Sequence, residues 1–485
     1  MADAHCVDVL FVYTNVNGFH VDTYSFGIGY LSSVLKSNGF SAKLEVVNTI
    51  KDYRNVIRAV LRYRPKVVAF TAVSSQFVFV CDLAKAIRKV YGGLIVCGGV
   101  HPTIFPDCLY SAMYFDGIFI GESEFSFADF VSAVVNKGSY KDTDNFCYIY
   151  NGKLVRNKLR PRVKNLEELP FPDREIYRYQ SIIDECDGTA TVMTSRGCPF
   201  LCSYCANHAI ARVYNEDRNL IRYNSVDRSI EEISRLKSWY KFSRLYFIDD
   251  LFILNNLWLD EFLSKYKQRF DIPFMCHIRP DVCTRDTLFK LKGAGCYSIL
   301  LSVESANDHI RNVVMRRNIT KEQLTNAFNW AREAGIDTLS VSIIGVPGDT
   351  ENTILETIDF NKKIVPAVIG LNIYSPYEGT ELGDYCREKG FLRAVDSRRF
   401  FDRAQSRLVL PTISNSALMK LYNNFHYLVY KDSAPLKLKN IIWGRRYKLL
   451  EDNILFGFLF RKFRKMKATR IIGRKIKQAL AKVGG

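Results

Sequence analysis

Three cysteines stand close together in the stretch SRGCPFLCSYCAN, residues 195–207. Cys198, Cys202 and Cys205 are separated by three and by two residues, and no fourth cysteine lies close by. A structural zinc site closes its coordination with four protein ligands, so zinc would need His208 or a distant cysteine as the fourth. Three thiolates can instead hold three irons of a four-iron, four-sulfur cluster and leave one iron open to another ligand. The spacing favours the cluster.

Carboxylates, a hydroxyl and guanidinium groups follow other apolar segments in the second half of the chain. Two acids end FIDD, a serine and a glutamate two residues apart in LSVES share one face of a strand, and two arginines stand in VVMRRN. A guanidinium suits the binding of a carboxylate. Taken singly, each such group is more often solvated or salt-bridged. These candidates are Asp249, Asp250, Ser302, Glu304, Arg316 and Arg317.

A second set of candidates follows apolar segments in the first half. Paired glycines let a bulky planar ring approach the backbone, and hydroxyl groups offer hydrogen bonds to a ligand tail. A turn at the end of a strand explains a pair of glycines equally well. These candidates are Thr71, Ser74 and Ser75 in TAVSS, Gly98, Gly99 and His101 in CGGVHPT, and Gly121 and Glu122 in GIFIGESE.

The elements that position these side chains are indicated by alternating apolar strand and helix patterns. An α/β protein is predicted: an amino-terminal Rossmann-like open parallel sheet, a partial (β/α)6 barrel, and a mostly helical basic C-terminal region. The predicted boundaries are 1–140 for the first sheet, 141–187 for a hairpin at Asn151-Gly152 and a linker, 188–390 for the barrel, and 391–485 for the rest. In both sheets the chemistry is expected at the carboxyl ends of the strands.

The composition indicates a folded protein of several domains. The chain has 485 residues, of which 48% are hydrophobic and 24% charged, which is unlike a disordered protein. The amino terminus lacks a basic segment before its first apolar stretch, and the uncharged, apolar run 67–81 is too short for a membrane span. We therefore expect a cytoplasmic protein with reduced thiols.

Positive charge is concentrated at the C terminus. Residues 453–485 hold ten Lys or Arg and no acid, so the net charge of +18 leaves 18 − 10 = +8 for the remainder. Phenylalanines and leucines recur there at helical spacing, which is typical of a helix that lies on an anionic membrane, binds an acidic partner, or packs on its own domain. No nucleic-acid-binding fold is indicated, so nucleic acid is not expected as a partner. Peripheral contact with the inner membrane surface would suit a lipidic substrate.

The cysteine loop resembles that of the radical S-adenosylmethionine superfamily, with Tyr204 as the aromatic residue before the last cysteine. The resemblance implies that the open iron binds the amino and carboxylate groups of S-adenosylmethionine, which is cleaved to a 5′-deoxyadenosyl radical. It assigns the methionyl ammonium to Asp249 and Asp250, the ribose or amino group to Ser302 and Glu304, and the carboxylate to Arg316 or Arg317. Ile344 and Gly345 would form the apolar turn beside adenine.

The first 140 residues resemble the cobalamin-binding domain that one large class of these enzymes carries, and LPFPDR resembles the linker of that class. The resemblance covers roughly residues 6–390. It implies that the second set of candidates contacts cobalamin. The Asp-x-His-x-x-Gly motif that supplies a lower axial histidine is missing, so bound cobalamin is expected to lack that ligand. A degenerate domain without cobalamin is the alternative.

The resemblance implies a cobalamin-dependent radical methyltransferase that acts on an unactivated carbon. One S-adenosylmethionine would methylate cobalamin and a second would supply the radical. The partners would be a small-molecule substrate, lipidic in character, and an external electron donor. A radical cyclase or rearrangement enzyme with the same cofactors is the closest alternative. A non-catalytic iron–sulfur or zinc-binding protein is the alternative from another class.

Overall fold

A computed structural model describes residues 6–16, 24–394 and 403–432. The predicted basic tail, 453–485, lies outside these ranges. Among the residues described, no helix is both long enough and apolar enough to cross a membrane.

The amino-terminal sheet has seven strands in the order β2-β1-β3-β4-β5-β6-β7. Neighbours from β2 to β5 are parallel, whereas β6 and β7 are antiparallel. Because the parallel order reverses between β1 and β3, the crevice for a ligand is expected at the carboxyl ends of those two strands. The bounds are β1 Val9–Thr14, β2 Ala42–Val47, β3 Val67–Thr71, β4 Leu94–Gly98, β5 Gly117–Phe119, β6 Phe146–Tyr150 and β7 Lys153–Arg156.

Helices connect these strands and cover both faces of the sheet, as the βαβ rhythm of the sequence predicted. Two separate apolar clusters lie on the two faces, one including Val9 and Phe11 and the other including Leu10 and Val12. Alternation along β1 therefore sends successive side chains into different cores. The helices are α1 Phe26–Ser37, α2 Tyr53–Tyr63, α3 Phe77–Arg88, α4 Val100–Ile104 and α5 Glu124–Val135.

The predicted hairpin is present at Asn151 and Gly152. Both residues have positive φ, 48° and 75°, as a tight two-residue hairpin turn requires. The hairpin formed by β6 and β7 adds to the edge of the amino-terminal sheet.

The proline-containing linker joins the two halves through buried charges. Asp173 accepts a hydrogen bond from Ser32 at 2.6 Å and pairs with Lys36 at 2.7 Å, both on α1. The next residue, Arg174, is buried and pairs at 2.7 Å with Glu232. One end of the linker thus packs on the first sheet and the other on a helix of the second half.

The second half contains a curled six-stranded parallel sheet in the order β15-β14-β13-β12-β11-β8. The six predicted strand and helix units are thereby confirmed as a partial barrel. The bounds are β8 Thr189–Val192, β11 Arg244–Phe247, β12 Phe274–Ile278, β13 Cys296–Glu304, β14 Asp337–Ile344 and β15 Val368–Ile373.

The sequence segment predicted as the first barrel strand is divided in two. Only β8 joins the barrel, while β9 Ser195–Cys198 pairs antiparallel with β10 Asn219–Tyr223 in a sheet of its own. Between them, the backbone N–H of Thr194 donates to Asp249 instead of to a neighbouring strand. The chain therefore leaves the barrel before the cysteines begin.

Helices pack on the convex face of the barrel. Phe247 of β11, for example, contacts the rings of Phe262 and Tyr266 on α9. The helices of this half are α6 Tyr179–Glu185, α7 Ala206–Val213, α8 Val226–Trp239, α9 Asn256–Arg269, α10 Arg285–Gly293, α11 Lys321–Glu333, α12 Glu351–Ile364 and α13 Glu381–Glu388. Beyond residue 390 the described part contains one further helix, α14 Asn415–Tyr430, which packs on α12 and β15.

Candidate functional site

The cysteine loop runs from the end of β9 to the start of α7. Cys198 is the last residue of β9, Cys205 precedes α7, and Cys202 between them is buried. Burial, together with the charges of Cys202 and Asp250, raises the pKa of Cys198 to about 11 and the pKa of Cys205 to about 12. The mutual effects show that the three thiols are close neighbours, and thiolates held so close need positive charge to stabilise them.

The loop is fixed by hydrogen bonds from Ser203, which stands between two of the cysteines. Its backbone N–H donates to Met315 O at 3.1 Å and its hydroxyl donates to Val314 O at 2.7 Å. Its carbonyl accepts from the N–H of Leu382, the second residue of α13, at 2.9 Å. Segments that follow β13 and β15 therefore hold the loop against the barrel.

An arginine that the sequence reasoning missed contacts this loop. Arg279 follows the last residue of β12, and its Nη1 donates to Sγ of Cys202 at 3.3 Å. Its guanidinium lies over the ring of Phe200, 3.7 Å from the centroid. Its position near the end of the predicted strand segment PFMCHIRP was the signal that could have identified it, since the other candidates of the barrel were chosen at strand ends.

A cavity of about 450 Å³ opens beside the loop. Its lining is rich in cationic side chains, which suits an anionic group of a ligand. The lining residues are Pro199, Phe200, Leu201, His208, Arg218, Arg279, Asp281, Arg316, Arg317 and Asn318.

Asp249 is buried beyond the end of β11 and has one oxygen engaged. Its Oδ1 accepts from the hydroxyls of Ser195 at 2.5 Å and Thr194 at 2.8 Å, and from the N–H of Thr194 at 3.0 Å. Its Oδ2 is buried and has no hydrogen-bond partner in the part of the chain that the structure describes. Burial raises the pKa of Asp249 to about 6. A buried carboxylate oxygen without a donor is a natural acceptor for a ligand.

Glu304, at the end of β13, is also a buried carboxylate with one oxygen engaged and the other open. Its Oε1 accepts from Tyr204 and from Arg317, each at 3.1 Å, while Oε2 is buried without a partner among the described residues. Burial raises the pKa of Glu304, and Arg317 and a hydrogen bond from Ser302 oppose that rise. Glu304 itself has a φ of 58°, an unusual conformation for a residue other than glycine. Ser302 and Glu304 thus lie close enough together for Ser302 to act on the carboxylate.

The two neighbouring arginines have different surroundings. Arg317 is buried and donates to the hydroxyl of Tyr204 at 2.9 Å and to Ser302 O at 3.0 Å. Arg316 is half-exposed and pairs with Glu381 at 2.7 Å, although it also lines the cavity. Of the two, Arg317 contacts the other candidates directly.

The remaining candidates of the barrel lie around this centre. Asp250 hydrogen-bonds the side chain of Asn207, and its charge acts on Cys198 and Cys205. Ile344 is buried at the end of β14. Gly345 has a φ of 77°, and a Cβ there would lie 2.8 Å from Leu418 of α14, so the predicted adenine turn is packed against the C-terminal helix.

A tyrosine and a histidine on the concave face of the barrel form a further pair that the sequence reasoning missed. The hydroxyl of Tyr246 on β11 hydrogen-bonds Nε2 of His277 on β12. Their sequence neighbours Phe247 and Cys276 are buried in the core on the opposite face. Burial lowers the pKa of His277 to about 4, so the ring is neutral at pH 7.

The candidates of the first half converge at the carboxyl edge of its sheet. Ser74 hydrogen-bonds Nδ1 of His101 at 3.0 Å, and the His101 ring lies 4.2 Å from that of Phe77. Burial lowers the pKa of His101 to about 4. A Cβ on Gly99, whose φ is 98°, would lie 2.7 Å from Oγ1 of Thr71, so this glycine is required by the packing of the sheet itself.

The other candidates there are placed unequally. Thr71 ends β3, Ser75 lies half-buried in the next loop, and Gly98 ends β4 facing Phe119. Thr71 and Ser75 thus lie at or after the end of β3, one of the two strands at the switch in strand order, whereas Gly98 ends the neighbouring strand β4.

Gly121 and Glu122 lie at a contact between the two halves. The hydroxyl of Tyr214 accepts from the N–H of Glu122 at 2.7 Å, and a Cβ on Gly121 would lie 2.3 Å from that hydroxyl oxygen. Both carboxylate oxygens of Glu122 pair with Arg222 on β10. Burial raises the pKa of Glu122, but Arg222 and Arg196 outweigh this effect, and the pKa is lowered. The Glu122 carboxylate is thus engaged by the barrel half.

A closed zinc site is not formed among the residues described. No three side chains of His, Cys, Asp or Glu in the ranges described are placed to hold one metal ion. His208, one of the two candidates for the fourth ligand beside a distant cysteine, faces Glu381 at 3.9 Å.

Comparison with known families matches both halves of the chain. Residues 14–131 match the B12 binding domain and residues 192–360 match the Radical SAM superfamily. An uncharacterized methyltransferase of Pyrococcus horikoshii is 27% identical over 379 residues, which cover 77% of this chain and 81% of that protein. An anaerobic magnesium-protoporphyrin IX monomethyl ester cyclase of Cereibacter sphaeroides is 24% identical over 415 residues, 81% of this chain and 64% of that protein.

The fold is also similar to a solved structure. The cobalamin-dependent S-adenosylmethionine radical enzyme OxsB, with aqua-cobalamin and S-adenosylmethionine bound, superimposes with a TM-score of 0.68 at 17% identity, over 96% of this chain and 76% of that one. The B12 binding domain precedes the Radical SAM domain in the chain, as predicted. The cysteine loop at the end of β9 lies within the segment that matches the Radical SAM superfamily. The chain therefore consists, over these residues, of a B12 binding domain followed by a domain of the Radical SAM superfamily.

Proposed function

We propose that this protein is a radical methyltransferase that transfers a methyl group from S-adenosylmethionine, through cobalamin, to an unactivated carbon. The observation that carries the proposal is the joining of a B12 binding domain to a radical SAM domain in one chain. The similarity to a methyltransferase over 77% of the chain supports the same reaction.

Cys198, Cys202 and Cys205 would hold three irons of a four-iron, four-sulfur cluster. The donor set fits because the loop brings three thiols near enough to act on one another, while no three side chains in the described ranges surround a single metal ion. When bound, the cluster supplies the electron that cleaves S-adenosylmethionine, and the cobalamin carries the methyl group. Ser203 and Arg279 keep the loop in place.

The binding of S-adenosylmethionine falls to residues at the carboxyl ends of the barrel strands. The free oxygens Oδ2 of Asp249 and Oε2 of Glu304 are suited to the methionyl ammonium. Arg317 orients Glu304, and Tyr204 hydrogen-bonds both. Arg316 at the cavity is suited to the carboxylate. We also propose that S-adenosylmethionine contacts four further residues, because they lie at or near the carboxyl ends of barrel strands. These residues are Asp250, Ser302, Ile344 and Gly345.

Cobalamin is assigned to the carboxyl edge of the amino-terminal sheet. Oγ1 of Thr14, at the end of β1, is buried without a partner among the described residues, and Ser75 lies in the loop after β3. These hydroxyls border the switch in strand order, where a ligand is expected. Thr71, Ser74, Gly98, Gly99, His101 and Gly121 shape the same edge, whereas Glu122 serves as the link to the barrel.

The substrate is a small molecule, and we propose that it is largely hydrophobic. The concave face of the barrel offers Ile248, Met275 and Leu300 beside the polar pair of Tyr246 and His277. An apolar surface with one hydrogen-bonding pair suits an apolar substrate with a single polar group. We further propose that the tail, 453–485, contacts an anionic membrane surface. An external electron donor would reduce the cluster.

A radical cyclase is the second candidate. The observation that favours it is the 24% identity to a magnesium-protoporphyrin cyclase over 81% of the chain. Such an enzyme would use the same residues for the cluster and for S-adenosylmethionine, and it differs in the fate of the methyl group.

The experiment that tests the cofactor site is iron and sulfide analysis after anaerobic reconstitution. Four irons and four sulfides per chain are expected from the wild type. Replacement of Cys198, Cys202 and Cys205 together by alanine should abolish both. A wild type that binds only zinc, or a triple variant that keeps its iron, would contradict the proposal.

A further inference from the structure

Cys202 has a cationic neighbour that no part of the cysteine motif specifies. Nη1 of Arg279 lies 3.3 Å from Sγ of Cys202, and the two residues are 77 positions apart in the chain. An N–H group that points at a sulfur ligand of an iron–sulfur cluster is one of the means by which a protein sets the potential of the cluster.

Other contacts hold the guanidinium of Arg279 so that Nη1 points at Sγ of Cys202. Nε pairs with Asp281 at 2.8 Å, Nη2 donates to Arg317 O, and Phe200 lies beneath the guanidinium at 3.7 Å. The side chain is only 9% exposed, so water screens its charge weakly. Three separate contacts therefore orient one donor toward Cys202.

The charge of Arg279 reaches beyond Cys202. Its charge also acts on Cys198 and on Glu304. Arg279 thus lies where it favours negative charge on two cysteines of the loop and on the glutamate that we assign to S-adenosylmethionine.

We propose that Arg279 is a positioning residue that raises the reduction potential of the cluster. The inference rests on the proposed function, because it takes Cys198, Cys202 and Cys205 as the ligands. One-electron reduction by the external donor adds a negative charge to the cluster. A fixed cation with a hydrogen bond to a ligand sulfur stabilises the reduced state more than the oxidised one. Removal of the guanidinium makes reduction less favourable.

The test is an EPR-monitored redox titration of the reconstituted protein without S-adenosylmethionine. Arg279→Gln should keep the iron and sulfide of the wild type and lower the equilibrium constant for reduction at least tenfold, which is 59 mV for one electron. Arg244→Gln is the control, since Arg244 is an exposed arginine at the amino end of β11, away from the carboxyl ends of the barrel strands. The reduction potential of the cluster in this variant should equal that in the wild type.

A second variant separates charge and hydrogen bonding from a merely structural role. Arg279→Lys keeps the cation and loses the planar fork, so its potential should lie between those of the wild type and Arg279→Gln. A fully loaded Arg279→Gln with the wild-type potential overturns the inference. If the glutamine variant does not retain iron, the lysine variant decides: full iron with a lowered potential supports the inference, and the wild-type potential overturns it. A wild type without iron instead overturns the proposed cluster site.

Discussion

Nη1 of Arg317 lies 3.1 Å from Oε1 of Glu304, and both side chains are almost completely buried. The second oxygen of Glu304 is also buried and, within the ranges that the structure describes, accepts no hydrogen bond. A buried acceptor without a donor is costly in free energy. The pair is therefore preorganised at one oxygen and open to a ligand at the other.

From this arrangement we predict that Glu304→Gln weakens the binding of S-adenosylmethionine at least tenfold. The substitution removes the charge that faces the ligand ammonium, and a hydrogen bond to a charged group contributes about 1.5–3 kcal/mol. Equilibrium dialysis with the reconstituted protein measures the affinity, and the iron content should be unchanged. Glu356→Gln, at a half-exposed position on α12, is the control. Equal affinities of Glu304→Gln and the wild type would exclude Glu304 from the site.

The binding of S-adenosylmethionine should also depend on pH through Asp249. Its pKa is raised to about 6 by burial, so the carboxylate is mostly ionised at pH 7 and mostly protonated at pH 5. The affinity for the ammonium should thus fall about tenfold between pH 7 and pH 5. Asp249→Asn should flatten this dependence, and the same pH profile in both proteins would contradict the assignment.

The contribution of Asp249 to folding has the opposite sign. Its pKa in the folded protein is raised above the usual 3.8, so its contribution to stability is greatest below about pH 4 and is lost as the pH rises through about 6. Protein without ligand should therefore show, relative to Asp249→Asn, a decrease in thermal stability over that window. The window is measured by thermal unfolding in buffers from pH 4 to pH 7.

The ion pair that links the two halves predicts an effect on the stability of the fold. Glu122 pairs with Arg222 through both oxygens, and the side chains are only 19% and 13% exposed. Glu122→Gln should lower the free energy of unfolding by about 3 kcal/mol, because it leaves a mostly buried arginine without its counter-charge. Arg156→Gln is the matched control, since its pair with Asp107 is exposed and should contribute about 0–1 kcal/mol. Urea unfolding with equal effects of both substitutions would contradict this account.

Bound cobalamin should lack a histidine ligand on its lower face. His101 is the histidine closest to the proposed crevice in the described sequence, and its ring is engaged by Ser74 and Phe77. The EPR spectrum of the cob(II)alamin form should show no nitrogen splitting from a protein labelled with ¹⁵N-histidine. A splitting that changes with the label would contradict the prediction, and failure of the whole chain to retain corrinoid would indicate a degenerate domain.

The fold could be predicted from the sequence because its periodicity is local. Each strand is a single short apolar run, and amphipathic helices separate the strands, which indicates parallel sheets. Asn151-Gly152 indicates a hairpin. The break between β8 and β9 was missed because TATVMTSRG is one continuous strand-like run. The strand is interrupted where Thr194 and Ser195 donate hydrogen bonds to Asp249, which is more than 50 residues away in the sequence.

The candidate site was predictable where motif residues are consecutive and less so where partners are distant in sequence. Cys198 was found from the spacing of the three cysteines, whereas Asp249 and Glu304 were found from their positions at the ends of apolar runs. The pairing of Arg317 rather than Arg316 with Glu304 depends on backbone geometry, since Arg316 has a φ of 53° and turns the two side chains apart. The contact of Arg279 with Cys202 spans 77 residues, and no local pattern encodes it.

The most direct test of the account follows both halves of the reaction in one sample. Reconstituted protein, loaded with reduced cobalamin and a one-electron donor, is incubated with methyl-deuterated S-adenosylmethionine. Mass spectrometry then measures S-adenosylhomocysteine, 5′-deoxyadenosine and the label on cobalamin. The account predicts that all three form in the wild type and that Cys202→Ala abolishes deoxyadenosine. Deoxyadenosine without S-adenosylhomocysteine or labelled cobalamin would contradict the methyltransferase proposal and favour the cyclase.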